Sequence, residues 1–160
     1  MGFFKDLFGG SDELDELKKQ QKLFETMSAM NAGGCTTDEI PNGIGEFGLE
    51  PTNPIPTNTV YGSILYLGGL RAPDGTVVNN KRLGSVGADN IKKPIDKYLI
   101  THKNGNELAI IYISPYQAIN SKKSPAGLDQ VSPLPGMTFL TPPLGFGTSS
   151  LYRGITCMCA

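Results

Sequence analysis

The chain has 160 residues, 39% of them hydrophobic and 18% charged, and a formal net charge of -1. That length suits one ordinary domain with appendages and is short for two independent cores. The balanced charge argues against nucleic acid, which demands clustered Lys and Arg to displace counterions, and no apolar run approaches the roughly 18 residues a membrane-spanning helix needs.

From the start, Met1 to Gly10 carries the acidic Asp6 and lacks a long apolar stretch, so it does not read as a signal peptide, and a cytoplasmic location is expected. Gly9-Gly10-Ser11-Asp12-Glu13 then opens a helix, with Ser11 or Asp12 able to cap free amides and the acids favouring the positive helix end. The spacing predicts a helix over residues 12–30, with Leu14, Leu17, Phe24 and Met27 on one face as a candidate interaction surface, and Gly33-Gly34 as the stop. Residues 35–58 are dense in Gly, Pro, Asn and Thr, yet Ile40, Ile44, Phe47, Leu49 and Ile55 are too apolar for a free linker. A strap across the core is the natural reading.

Residues 60–72, VYGSILYLGGLRA, are rich in β-branched and aromatic side chains, and Pro73-Asp74-Gly75 follows as a turn into Thr76-Val77-Val78. A first hairpin is predicted there. A second is predicted between residues 94 and 114, with Asn104-Gly105 as a type I′ turn. Because residues 109–113 are apolar without alternation, the last strand is expected to be central and covered on both faces, with the N-terminal helix as the candidate cover. Beyond Pro115, repeated Pro and Gly interrupt short apolar groups, and residues 151–160 would form an edge strand or an arm reaching a partner. The organisation is therefore a helix and lead-in over residues 1–34, a β-rich core over 35–128 and a Pro/Gly-rich arm over 129–160. The expected fold class is α+β, an antiparallel sheet of four to five strands behind an amphipathic helix.

Candidate chemistry is thin. The only histidine, His102, sits beside the Asn104-Gly105 turn, where side chains are usually solvated, and general-base work needs a fixed partner and a cleft. Cys35, His102, Cys157 and Cys159 match a Cys3His zinc set in number, but Cys-x-Cys is tighter than the usual ligand gap and the other two are scattered, so reduced, unmetallated thiols are expected. Gly43-Ile44-Gly45-Glu46-Phe47-Gly48 spells the dinucleotide fingerprint, yet no strand precedes it and Pro51, Pro54 and Pro56 forbid the following helix. Asp38, Glu39, Glu46 and Glu50 are read as solvated or capping rather than as a hydrolytic pair. Lys81-Arg82, Lys92-Lys93 and Lys122-Lys123 would mostly guard strand edges, the alternative being one edge that meets an anionic ligand. Asp6 stands where a myristoylation site wants Ser or Thr, and Cys157-Met158-Cys159-Ala160 fits the prenylation pattern only if Cys159 counts as aliphatic, so no lipid anchor is expected.

The run Phe47-Gly48-Leu49-Glu50-Pro51-Thr52-Asn53-Pro54-Ile55-Pro56, with Arg82-Leu83-Gly84-Ser85 and residues 108–116, resembles a group of small bacterial proteins marked by an FGxxPTNPIP segment. The resemblance covers residues 44–127, and the group carries no activity to transfer, so it implies only a bacterial or phage-like cytoplasmic origin. In that group a histidine often follows the Tyr116 position, where this chain has Gln117-Ala118-Ile119-Asn120. With no cofactor signature and no complete catalytic set, the expected function is a non-catalytic binding or accessory protein, its partner a protein or a second copy of itself. The competing classes are a small hydrolase or transferase built from Asp, Glu, Tyr and Lys, such as Glu46, Asp96 and Tyr116, and a self-assembling structural protein using the helix or the arm.

Overall fold

The computed structural model describes residues 10–131. The first nine residues and the arm from residue 132 on, with Cys157, Cys159 and the expected edge strand, lie outside them. Helix α1 spans Gly10–Met30, starting just ahead of Ser11 and Asp12. Its exposed pairs Lys18–Asp15 (3.6 Å) and Lys19–Glu16 (3.4 Å) are of the kind that each add only about 0.2–0.5 kcal/mol. The helix is fixed to the body near its C-terminal end. The Phe24 ring meets Tyr61 edge-on, with centroids 5.8 Å apart, Asn58 Nδ2 donates to Ser28 Oγ, and Asn31 Nδ2 donates to the Pro115 carbonyl and to Asn58 Oδ1.

After the strap, β1 (Ile55–Pro56) leads into a second helix, α2, over Thr59–Gly69. This corrects the expected strand over residues 60–72. The buried positions Thr59, Gly62, Ser63, Tyr66 and Leu67, continued by Leu70, recur at the spacing of one helical face. Composition misled because that face carries small and hydroxyl residues, while the β-branched and apolar Val60, Ile64 and Leu65 point to solvent. The buried hydroxyls of Thr57 and Ser63 pair at 2.8 Å, so this inward polar surface is partly satisfied.

Strand β2 (Leu70–Arg71) pairs antiparallel with β6 (Asp129–Gln130), and Arg71 also bridges antiparallel to Val77, so the predicted hairpin is present in short form. The Pro73-Asp74-Gly75 turn does form, closed by the Gly75 amide on the Ala72 carbonyl and the Ala72 amide on the Thr76 carbonyl. The main sheet comes later, from β3 (Asn79–Ala88), β4 (Ile91–Thr101) and β5 (Glu107–Ser114), in the order β1-β5-β4-β3. It is mixed rather than purely antiparallel, because β1 runs parallel to β5, pairing Ile55 with Ile113. The β4–β5 hairpin turns at Asn104-Gly105 as expected, though its type differs. The Gly105 amide returns to the His102 carbonyl, and of the turn residues Gly105 alone has positive φ (90°), which is a type I turn closed by a left-handed glycine within a five-residue loop.

The core lies between one face of this sheet and α2. Ile55, Ile100, Ile111, Ile113 and Leu70 are fully enclosed, joined by Tyr66, Leu67, Tyr98, Phe47 and Leu128. Each of those aliphatic side chains contributes roughly 1.5–3 kcal/mol through burial. The strand β5 is thus covered on one face only: Ile111 and Ile113 point inward, whereas Leu108 and Ile110 remain exposed. The cover is α2, and α1 lies outside it as a third layer, which corrects the expectation that α1 shields the strand.

Candidate functional site

Alternation along β4 sets up two different faces. Asp96, Tyr98 and Ile100 turn toward α2, while Lys93, Ile95, Lys97 and Leu99 turn the other way. Register then assembles the outer face into rows. Lys81, Leu99 and Ile110 lie side by side across β3, β4 and β5, and Gly84, Lys97 and Tyr112 form the next row. Continuing the register past Asp96 and Ile113 brings Lys93 opposite Tyr116, and Lys93 Nζ sits 5.0 Å from that ring centroid. Lys97 Nζ lies 6.0 Å from the Tyr112 ring. Leu83 and Leu108 have no partner across the sheet, since the β3–β4 register shifts between Arg82 and Gly84 and the β4–β5 register shifts between Ile100 and Thr101.

The result is a sheet face left open to water around Ile110, which is 40% exposed. From the Tyr116–Lys93 row to the Ile110–Leu99–Lys81 row no carboxylate occurs, and because the Ile95–Ser114 row between Lys93 and Lys97 is fully buried, Lys81 and Lys97 are the ammonium groups that share the open rows. At one end the face is closed, because Asn90 ties the β3–β4 turn to the strap by donating to the carbonyls of Asn42 and Thr52, and Ile95 there is fully buried. Chemically the surface suits an acidic, partly apolar partner.

The other candidates are spread around the fold. Among the interaction residues predicted on α1, Leu14 and Phe24 are exposed and Leu17 and Met27 half-buried. His102 clips two turns together: Nε2 stands 3.0 Å from Asp74 Oδ2 and 2.8 Å from Thr76 Oγ1, and the Asn104 amide approaches Nδ1. As Nδ1 faces a donor, the ring proton belongs on Nε2, directed at Asp74. Hydrogen bonds from the Thr76 hydroxyl and amide, and then from His102, hold the Asp74 carboxyl down at about 2. Cys35 lies apart, its thiol pushed up by burial. Among the described residues no three His, Cys, Asp or Glu side chains gather where they could hold a metal.

Asp38 accepts from the Lys122 amide and Glu39 pairs with Lys123, so these two acids fasten the strap to residues 121–123 rather than facing each other. Lys123 also lies over the Phe47 ring. Glu46 contributes its carbonyl to the turn that holds Leu49 and Glu50. Asp96 and Tyr116, proposed with Glu46 for an enzyme, stand on opposite faces of the sheet. Asp96 Oδ1 is shared by Arg82 (2.7 Å) and Ser85 Oγ (2.9 Å), which raises the Arg82 guanidinium above its ordinary value. A carboxylate oxygen already held by a guanidinium is a poor base for that serine. The neighbouring depression of 360 Å³, bounded by Ser85, Gly87, Ile91 and Lys93 among others, is wide open.

Sequence reasoning reads Lys81 and Lys93 as edge guards, gives Lys97 no role and misses the face on which β4 carries Lys97 beside Lys81. The alternation Lys93, Ile95, Lys97, Leu99 against Asp96, Tyr98, Ile100 was the available signal, and it becomes informative only once the hairpin register is known. No protein-family model, curated protein or solved structure matches this chain. Among the described residues no helix is long and apolar enough to cross a membrane.

Proposed function

We propose that this chain is a non-catalytic binding module that holds a protein partner on the open face of its sheet. The observation that carries the reading is the asymmetry of that sheet. One face is sealed by α2, while the other presents Leu99, Ile110 and Tyr112 beside Lys81 and Lys97 with no carboxylate between them. An antiparallel sheet tolerates one wet face, but a solvated face is usually polar at alternate positions, and here aliphatic side chains interrupt the lysines. Partner retention by the tagged chain tests the reading. Lys97→Glu and Ile110→Glu should each abolish retention with the fold intact, whereas Val77→Glu, at an exposed site away from these rows, should preserve it. A partner that survives both sheet-face substitutions would refute the proposal.

A further inference from the structure

We infer that the outward side of α2 seats the chain's own C-terminal arm, residues 132–160. Helix α2 holds no charged residue over residues 59–69, so little on the side it turns from the sheet favours contact with water. Val60, Ile64 and Leu65 stand there 49%, 50% and 44% exposed, and a Cβ added to Gly68, one turn after Ile64, would meet nothing within 4 Å. Spacings of four, one and three put these positions on one side of the helix. Helix α1 shelters only the beginning of that side, where Ser28 and Asn31 bond to Asn58 and Phe24 meets Tyr61. Half-wet aliphatic side chains on an uncharged helix mark a docking surface, one separated from the open sheet face by the core.

The arm leaves the body at this surface and matches it in composition. The Val131 amide donates to the Gly69 carbonyl at 2.9 Å, and Gln130 Nε2 donates to the Tyr66 carbonyl at 3.3 Å, so the chain departs pinned against the last turn of α2. Val131 is itself 51% exposed. Beyond it Arg153 is the only charged side chain, while Leu134, Met137, Phe139 and Leu140 follow soon after the exit. From Gly69 back to Val60 is about 14 Å at 1.5 Å per residue along the helix. From Val131 to Met137 the chain reaches up to about 20 Å at roughly 3.3 Å per residue. Leu134 and Met137 therefore come within range of Leu65, Ile64 and Val60. A tethered segment acts at an effective concentration on the order of millimolar, which favours the arm of the same molecule over that of a second copy.

Methyl spectra of the isotope-labelled full chain test this, with circular dichroism confirming the fold of each variant. Met137→Ser with Phe139→Ser should shift the Ile64 and Leu65 methyl resonances and leave those of Ile110, on the sheet face, in place. Ile64→Asp should in turn shift the Met137 methyl resonance, whereas Ile110→Asp should not. Both effects should persist unchanged on dilution. Ile64 and Leu65 methyls that ignore the arm variant would overturn the inference. So would shifts that fade on dilution, which would seat a second copy's arm there, or a Met137 resonance that answers to Ile110→Asp instead, which would seat the arm on the sheet.

Discussion

Replacing Gly48 by alanine should cost far more than a methyl group normally does. Gly48 adopts φ +73°, and a Cβ there would stand 2.8 Å from Ile55 Cγ1, 2.9 Å from Ile55 Cδ1 and 2.9 Å from Pro125 Cγ. Both neighbours are fully buried, so neither has room to retreat. The strap is fixed as well, because the Gly48 carbonyl accepts from the Tyr112 amide at 2.8 Å and its amide donates to the Asn53 carbonyl at 2.8 Å. A left-handed conformation costs a non-glycine residue roughly 1–2 kcal/mol, and overpacking a tight core adds roughly 1–3 kcal/mol. Gly105→Ala provides the reference, since Gly105 has φ +90° with nothing within 4 Å of the added carbon. In urea unfolding, with a slope near 2 kcal/mol per molar for a protein of this size, Gly48→Ala should lower the midpoint by about 1–2.5 M and Gly105→Ala by about 0.5–1 M. Equal shifts for the two would refute the packing described around Ile55 and Pro125.

Two further outcomes are expected. Ile111→Ala should destabilise by about 2–5 kcal/mol, whereas Ile110→Ala should change stability by no more than about 0.5 kcal/mol, and equal costs in the same unfolding assay would contradict a β5 covered on one face. For Asp74, whose carboxyl is held at about 2 against an ordinary 3.8, the folded state binds the proton less readily than the unfolded state. Its stabilising contribution is therefore present above pH 4 and lost as pH falls from about 4 toward 2. Asp74→Asn should flatten that part of the stability profile, and an unchanged acid limb would refute the role of the Asp74–Thr76–His102 clip.

How much of this was readable beforehand depends on where each element keeps its information. The helix α1 declared itself locally, through the spacing of Leu14, Leu17, Phe24 and Met27 and the Gly33-Gly34 stop. The β4–β5 hairpin did so too, because Asn104-Gly105 sits between two apolar runs, although the loop length selected a different turn. For α2 the hydropathy and the burial disagree: Gly62 and Ser63 are enclosed while Val60, Ile64 and Leu65 are wet, so composition read the segment as a strand. Gly62 is enclosed because Asn120 lies against it, where a Cβ would come within 2.1 Å of Asn120 Oδ1, a long-range fact that no window of sequence contains. The lysine-bearing face was hidden for the same reason, since partners such as Lys97 and Tyr112 are joined only through register.

The attachment of α1 through Phe24, Ser28 and Asn31 has a mechanical corollary. Leu14 lies ten residues before Phe24, a lever of about 15 Å at 1.5 Å per residue, so a tilt of about 10° at the attachment swings its tip by roughly 2.6 Å. Small adjustments at the Asn31–Asn58 fastening therefore set where the Leu14 end of the helix stands relative to the body.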